Sequence, residues 1–185
     1  MRNYQHIEAA QYILAEQQKA NHGLKPRFNE CIDKAIELQN NFKSSEDLYK
    51  AKGYLQKALT LANKNQYAKS WVYHNLGVLH YTAYLEMPCG VTESLKLALE
   101  YFNQALSYSE RQAIPHKIAS TLTQIGNVYR RAAQDILFPM PRYKCFDLSI
   151  QYHEKAISIL NNGVPKNIAS ICRSEILLNL SSSYY

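Results

Sequence analysis

Hydrophobic residues along the chain recur at the spacing of one helical face rather than in alternation. In residues 122–129, Leu-Thr-Gln-Ile-Gly-Asn-Val-Tyr, large side chains stand at the first, fourth and eighth positions. Positions i, i+3 and i+7 share one face of an α-helix. No stretch alternates with a period of two over a useful length. The pattern therefore predicts an all-α protein without strands.

Proline, glycine and asparagine signals at the joints divide this pattern into about eight helices. Pro26, Pro115 and the Asn-Asn-Gly sequence before Pro165 are typical of helix starts and stops. The predicted helices span residues 3–21, 27–42, 45–64, 67–86, 92–110, 115–136, 144–161 and 166–184. We expect them to form a single helical domain over residues 1–185.

Two short motifs alternate along this series. The first carries a small residue on its apolar face, and it occurs at residues 73–80, 122–129 and 177–184. The small residues are Gly77, Gly126 and Ser181. The second motif has Ala or Ser, then a large residue, then Ala, and it occurs at residues 51–58, 98–105 and 149–156. A tyrosine precedes the large residue each time, as Tyr54, Tyr101 and Tyr152.

Glycine in the middle of a helix needs a reason. It costs roughly 0.8–1 kcal/mol relative to alanine. At Gly77 and Gly126, a side chain would push apart two helices that cross at close range, and the lost packing would exceed that penalty. We therefore expect another helix to lie directly against both glycines.

The order of Gly77, Ala98, Phe102 and Ala105 resembles the tetratricopeptide repeat, a helix-turn-helix unit with a Leu-Gly motif on helix A and an Ala-Phe-Ala motif on helix B. The run Ile-Gly-Asn-Val-Tyr, followed by Ile-Gln-Tyr-His-Glu-Lys-Ala-Ile, is especially similar to the repeats of kinesin light chains and spindle-orientation adaptors. The resemblance covers roughly residues 46–185, and residues 1–45 are expected to form divergent helices. It implies a right-handed α-solenoid of antiparallel helix pairs.

The chain departs from the family in repeat length. Gly77 and Gly126 are 49 residues apart, and Gly126 and Ser181 are 55 apart, against about 34 in the usual repeat. The extra residues fall between helices A and B, in segments 84–92 and 135–143, where Pro stands beside Met and predicts a turn. The last A helix stops at Tyr185 without a B partner, so it is either truncated or a cap.

A concave groove is the binding surface that the resemblance implies, because A helices line the inner face of such a stack. The predicted partner-binding residues lie on the A-helix face opposite the Leu-Gly stripe: Trp71, His74, Asn75, Val78, Tyr81, Thr123, Gln124, Asn127, Arg130, Arg131 and Asn179. Amides can bond to a peptide backbone, and Arg can bind a carboxylate through two parallel bonds. Two alternatives stay open: Arg130 and Arg131 are solvated at a helix end, or Trp71 belongs to the core. The basic residues that bind a C-terminal carboxylate in the family's chaperone-tail binders are displaced here.

The two Pro-Met segments form a second candidate surface, apolar and basic at once. It includes residues 138–144, Phe-Pro-Met-Pro-Arg-Tyr-Lys. The alternative is that the segment folds back over the helix pair, which we expect for Ile136, Leu137 and Phe138.

Catalytic chemistry has no support in the sequence. The histidines lack metal-ligand spacing, and His80 and His153 occupy packing positions of the repeat. There is no nucleophile elbow and no phosphate-binding glycine loop. We expect a non-enzyme that binds neither cofactor nor metal. Four scattered cysteines, no signal peptide and no apolar run long enough for a membrane span favour free thiols and an intracellular, cytoplasmic location.

The leading hypothesis is therefore an adaptor or scaffold that binds a peptide or helix of a partner protein in its groove. A nucleic-acid-binding repeat is an alternative, motivated by a net charge of +6, fifteen tyrosines, and Arg130, Arg131, Arg142 and Lys144. Interspersed acidic residues weigh against it. A peptide-sensing regulator is a third hypothesis that the sequence does not separate from an adaptor.

Overall fold

The computed structural model describes residues 26–87 and 91–163, together with residues 173, 176 and 177. This part of the chain is all-helical. Its six helices are α1 Pro26–Asn40, α2 Ser45–Ala62, α3 Gln66–Glu86, α4 Thr92–Arg111, α5 Pro115–Ala132 and α6 Arg142–Gly163. They confirm six of the predicted helices to within four residues at each end. The predicted helices at 3–21 and 166–184 lie outside the described residues.

The largest boundary difference is at the end of α5, which stops at Ala132 rather than at residue 136. Beyond it the backbone tightens into three-residue turns. Gln134 N donates to Arg131 O at 2.9 Å, and Asp135 N donates to Ala132 O at 3.1 Å. Such i to i+3 bonds close a helix end. The Pro-Met segment therefore begins earlier than the hydrophobic pattern indicates.

Each helix packs against the next one along the chain, and there are further contacts between alternate helices, α1 with α3 and α3 with α5. The core forms two clusters. One joins α1, α2 and α3 through fully buried Phe28, Leu55 and Val72. The other joins α4, α5 and α6, with Phe102 and Leu122 at its centre. Since α3 residues also pack against the second cluster, α3 lies between the two.

The two glycines do lie at close helix crossings. A Cβ atom built on Gly77 would stand 2.6 Å from Cδ1 and Cε1 of Phe102 on α4. One built on Gly126 would stand 2.6 Å from Cε1 of His153 on α6. Both distances are far inside carbon–carbon contact range, so neither crossing has room for a methyl group. The expectation of a helix against each glycine is confirmed.

The pairs α3–α4 and α5–α6 share a second contact at equivalent positions. His80 stacks on Tyr101 with ring centroids 5.4 Å apart, and Tyr129 stacks on Tyr152 at 5.6 Å. The recurring tyrosine of the second motif thus packs on the last large residue of the first. The two helix pairs therefore share two contacts at matching positions.

The turn after α5 corrects one expectation and confirms another. Phe138 is 9% exposed and packs into the second core cluster, as predicted. Ile136 and Leu137 are 96% and 77% exposed, so the expectation that they fold back over the helix pair is wrong. Both oxygens of Asp135 are bonded, to Leu137 N at 2.9 Å and to Thr92 Oγ1 at 2.8 Å. These bonds hold the turn in a shape that directs only Phe138 inward.

Candidate functional site

Three of the predicted groove residues are buried, and their polar groups bond within the chain. Asn75 Nδ2 donates to Trp71 O at 2.8 Å, and Thr123 Oγ1 donates to Ala119 O at 2.9 Å. The Asn127 amide lies 3.3 Å from His153 Nε2. Because their polar groups are already engaged, we reassign Asn75, Thr123 and Asn127 from ligand contact to internal hydrogen bonding.

Asn127 belongs to a buried polar cluster at the Gly126 crossing. His153 is fully buried there, and its Nδ1 donates to the Ser149 carbonyl at 2.8 Å. Burial lowers the pKa of His153, and the nearby charge of Arg130 lowers it further, while the Ser149 carbonyl acts in the opposite direction. In a neutral ring that donates from Nδ1, Nε2 can only accept, so the contact with Asn127 is a hydrogen bond when the amide nitrogen faces the ring. The interpretation of His153 as structural fits this geometry.

The remaining predicted residues lie at separate places. Val78 and Tyr81 are partly buried against the second core cluster. Gln124 lines a small cavity of about 100 Å³ with Ser120, Leu160 and Ile176 among its walls. Asn179 lies outside the described residues.

Arg130 and Arg131 are both partly buried near the end of α5, and they differ in their contacts. Arg131 donates from an Nη atom to Gln134 Oε1 at 2.9 Å. Arg130 is close enough to His153 for its charge to lower that residue's pKa. Neither side chain is freely solvated.

Two of the predicted groove residues, Trp71 and His74, contact side chains on other helices. Trp71 is partly buried on α3 and packs at 6.0 Å against the Phe28 ring of α1. His74 Nδ1 lies 3.1 Å from Thr121 Oγ1 on α5, and its ring meets Phe102 edge-on at 5.5 Å. Of these contacts, the one between His74 and Thr121 joins α3 to α5.

A lysine from α5 lies close to Trp71 and to a second aromatic residue of α3. Lys117, in the first turn of α5, has its Nζ 4.4 Å from the centroid of the Tyr67 ring and 5.2 Å from that of Trp71. Both distances are within cation–π range. The five residues Tyr67, Trp71, His74, Lys117 and Thr121 are called the α3–α5 strip below.

The electrostatics of the strip are unusual. Burial lowers the pKa of Lys117 to about 7. None of the ion pairs among the described residues includes this lysine. Burial, with a smaller effect from the Lys117 charge, lowers the pKa of His74 to about 3. The strip therefore holds a neutral imidazole beside a partly buried amine that has aromatic neighbours and no carboxylate.

Sequence reasoning missed Tyr67, Lys117 and Thr121, although comparing two similar segments of the sequence gives a signal for two of them. Aligning residues 122–129 with 73–80 sets Lys117 opposite Ala68 and Thr121 opposite Val72. Both α3 residues are fully buried. Polar residues at positions that are apolar and buried in the similar segment on α3 are unusual, and such positions can be examined as candidate site residues.

Five of the described tyrosines stack on one another. Tyr73 stacks between Tyr108, at 5.5 Å and 4°, and Tyr101, at 6.4 Å and 22°. Tyr129 and Tyr152 cover each other. These rings are partly buried and already stacked, which removes much of the reason for interpreting them as a platform for bases.

A metal site, a disulfide and a membrane span each have structural requirements that can be compared with the described residues. No three His, Cys, Asp or Glu side chains cluster there in a way that could hold a metal ion. Cys31 and Cys145 are free thiols. Within the same part of the chain, every helix is too short or too polar to cross a membrane.

Comparisons with known proteins do not assign the chain to a family. No protein-family model matches the chain, and a search of curated proteins finds no relative. The functional argument therefore has to be made from the α3–α5 strip and the helix pairs that form it.

Proposed function

We propose that this chain is a non-catalytic module of tetratricopeptide-like helix pairs that binds a segment of a partner protein along α3 and α5. Its role is that of an adaptor or scaffold. In this proposal the helix pairs stack as a right-handed solenoid of about eight helices. The module acts inside the cell, where Cys31 and Cys145 stay reduced.

The equivalence of the two helix pairs supports the repeat. Gly77 meets Phe102 as Gly126 meets His153. His80 meets Tyr101 as Tyr129 meets Tyr152. Contacts between alternate helices, α1 with α3 and α3 with α5, are those expected when A helices line one side of a stack.

The observation that carries the binding proposal is the Lys117 amine. Burying an amine beside two aromatic rings without an acidic partner costs stability, because the ammonium form loses water and gains no full counter-charge. The two cation–π contacts offset only part of that cost, since burial still lowers the pKa of Lys117 to about 7. A guest that offers a carboxylate or carbonyl oxygen to Lys117 would supply the missing partner.

The rest of the strip fits an extended guest. Tyr67 and Trp71 provide aromatic surface beside the amine, and aromatic rings contribute much of the binding energy at protein interfaces. His74, neutral and bonded to Thr121, adds a polar edge without competing positive charge. The expected guest is an acidic or acceptor-rich segment with an apolar neighbour.

A random peptide library displayed on phage tests the proposal, because it offers the strip guest sequences of every charge and polarity. Peptides selected on the wild-type protein are assayed by fluorescence anisotropy against Lys117→Met, Trp71→Ala and Lys155→Met. Loss of a charge-assisted hydrogen bond lowers affinity by roughly tenfold or more. We expect that loss for Lys117→Met and a comparable loss for Trp71→Ala.

Lys155→Met is the matched control, because that lysine is 54% exposed on α6 and makes only a distant pair with Glu110 at 4.0 Å. It should bind like the wild type. Affinity should also fall as the pH rises from 6 to 9, because the free amine loses its proton near pH 7. Selected peptides that bind all three variants equally would refute the assignment of the strip.

A further inference from the structure

The turn after α5 presents two adjacent aliphatic side chains to solvent. Ile136 is 96% exposed and Leu137 is 77% exposed, the highest values among the large hydrophobic residues of the described chain. Single exposed apolar residues are common on proteins, but a neighbouring pair at the end of a turn is not explained by folding. Ile136 and Leu137 are called the aliphatic tip below.

The aliphatic tip is held in place rather than loosely exposed. Asp135 accepts a hydrogen bond from Leu137 N and another from Thr92 Oγ1 on α4. On the other side, Phe138 is anchored in the core, and its N–H donates to Asp135 O at 3.1 Å. These bonds fix the direction in which the tip points, so its exposure is a property of the fold.

Two basic residues follow the tip in the sequence. Arg142 and Lys144 are exposed at the start of α6, and Tyr143 between them is 64% exposed. No acidic residue lies between Asp135 and Asp147. Cations in a first helical turn oppose the helix dipole. Arg142 also lies over the Phe146 ring at 5.4 Å, whereas helix stability does not account for Lys144.

We propose that the aliphatic tip and this basic flank form a docking surface for an anionic lipid bilayer. Ile136 and Leu137 insert among the headgroups, while Arg142 and Lys144 contact lipid phosphates and carboxylates. Tyr143, with an apolar ring and a polar hydroxyl, suits the same interfacial depth. The surface is separate from the α3–α5 strip and does not depend on what the strip binds.

A bilayer suits this surface better than a protein partner does. A specific protein interface uses roughly 20–30 residues on each side, far more than a projecting turn offers. A convex pair of aliphatic side chains also requires a matching pocket in a protein. A fluid lipid interface receives it without one, and its negative surface potential attracts the basic flank.

Vesicle flotation with the full chain tests the proposal. We expect the protein to float with phosphatidylcholine vesicles that contain about 30% phosphatidylserine, and not with phosphatidylcholine alone. The double variant Ile136→Ser, Leu137→Ser should lose at least about tenfold in partitioning. Arg142→Gln and Lys144→Gln should lose about fivefold each, with the loss shrinking at high salt.

Two controls distinguish insertion of the tip into the bilayer from nonspecific adsorption of the protein to vesicles. Tyr49 is 74% exposed on α2, and Tyr49→Ser should partition like the wild type. In Leu137→Trp, brominated lipids should quench the new indole, whereas the only native tryptophan, Trp71, should be unaffected. Circular dichroism checks that each variant is folded.

The proposal fails if the wild type ignores anionic vesicles or if the tip variant partitions equally well. The wild type could also fail to bind vesicles but form a dimer in sedimentation that the double variant does not form. That result would instead assign the tip to contact between copies of this chain. Equal binding to neutral and anionic vesicles would overturn the role given to Arg142 and Lys144.

Discussion

At the scale of single residues, the glycines allow one substitution to be tested in two environments. Gly77→Ala and Gly126→Ala would place a methyl group 2.6 Å from Phe102 and His153 ring atoms. We expect each to lose about 1–3 kcal/mol of stability, because overpacking outweighs the better helix propensity of alanine. Gly53→Ala is the matched control on α2, with no atom within 4 Å of the added Cβ. It should gain about 1 kcal/mol.

Urea unfolding of the three variants measures these differences directly. A stability gain in all three would mean that helix propensity alone decides these positions. That result would contradict the close crossings at Gly77 and Gly126.

Lys117 gives a prediction about pH at the same scale. Its folded pKa, about 7, lies below the usual lysine value of 10.5. The unfolded chain therefore binds an extra proton between those two values, and stability rises with pH across that window. Lys117→Met lacks this dependence. We expect it to be more stable than the wild type by about 1–3 kcal/mol at pH 6, with a smaller difference at pH 9.

Chemical denaturation at pH 6 and pH 9 measures the difference, with Lys155→Met as the exposed control. An equal gap at both pH values would show that the Lys117 amine is not desolvated in the folded protein. A more stable Lys117→Met that no longer binds selected peptides would separate loss of binding from loss of folding.

At the scale of helix pairs, α3–α4 and α5–α6 share contacts but differ in how their polar groups are satisfied. His80 is 4% exposed, and neither ring nitrogen has a hydrogen-bond partner among the described residues. Burial, aided by the charge of Lys52, lowers its pKa to about 4. His153 is also buried, but its Nδ1 donates to Ser149 O. Each pair therefore contains one buried histidine, at different positions: His80 on α3 has no hydrogen-bond partner among the described residues, whereas His153 on α6 donates to a carbonyl.

His80→Phe should consequently stabilise the protein, by about 1–2 kcal/mol at pH 7, because it removes unpaired polar atoms and keeps the stack on Tyr101. The gain should widen at pH 5. At pH 5 the His80 side chain is largely protonated in the unfolded chain and largely neutral in the folded protein, because folding lowers its pKa from 6.5 to about 4. The wild type therefore loses stability as the pH falls from 6.5 towards 4.

Thermal melts at pH 5 and pH 7 check this prediction. His153→Phe serves as the contrast, because it breaks the bond to Ser149 and leaves Asn127 without its partner. It should destabilise the protein at pH 7. A gain for His80→Phe that is the same at both pH values would contradict the assignment of a depressed His80 pKa.

At the scale of the whole molecule, the net charge of +6 comes from 21 basic and 15 acidic residues. Several lysines pair with acids one helical turn away, including Lys34 with Glu30, Lys50 with Glu46, and Lys96 with Glu93. The tyrosines that suggested base stacking pack on one another. The net charge allows weak, sequence-independent attraction to nucleic acid, and the stacked tyrosines of the described residues leave little of their ring surface for bases.

We therefore expect single-stranded oligonucleotides to bind only at low salt and to be released by about 0.15 M NaCl, as counterion release dominates the affinity. Fluorescence anisotropy across a salt series measures this, with a selected peptide as the comparison. Oligonucleotide binding that persists at physiological salt and depends on Arg142 or Lys144 would favour the nucleic-acid hypothesis over the adaptor.

The sequence by itself determined the helices and the places where they touch. Apolar spacing and proline signals predicted six described helices, and Gly77 and Gly126 predicted the close crossings. These features are local, because the period of an α-helix and the need for a small residue at a crossing can be seen within one segment.

Only the tertiary structure decided what each exposed or buried polar group does. The environment of Lys117 depends on Tyr67 and Trp71, which lie more than forty residues earlier in the chain. Asn127 turned out to bond to His153, and Ile136 turned out to face solvent. Helical periodicity specifies a face of one helix. It does not specify which residue of a distant helix lies across from that face, and that pairing sets burial, charge and hydrogen bonding.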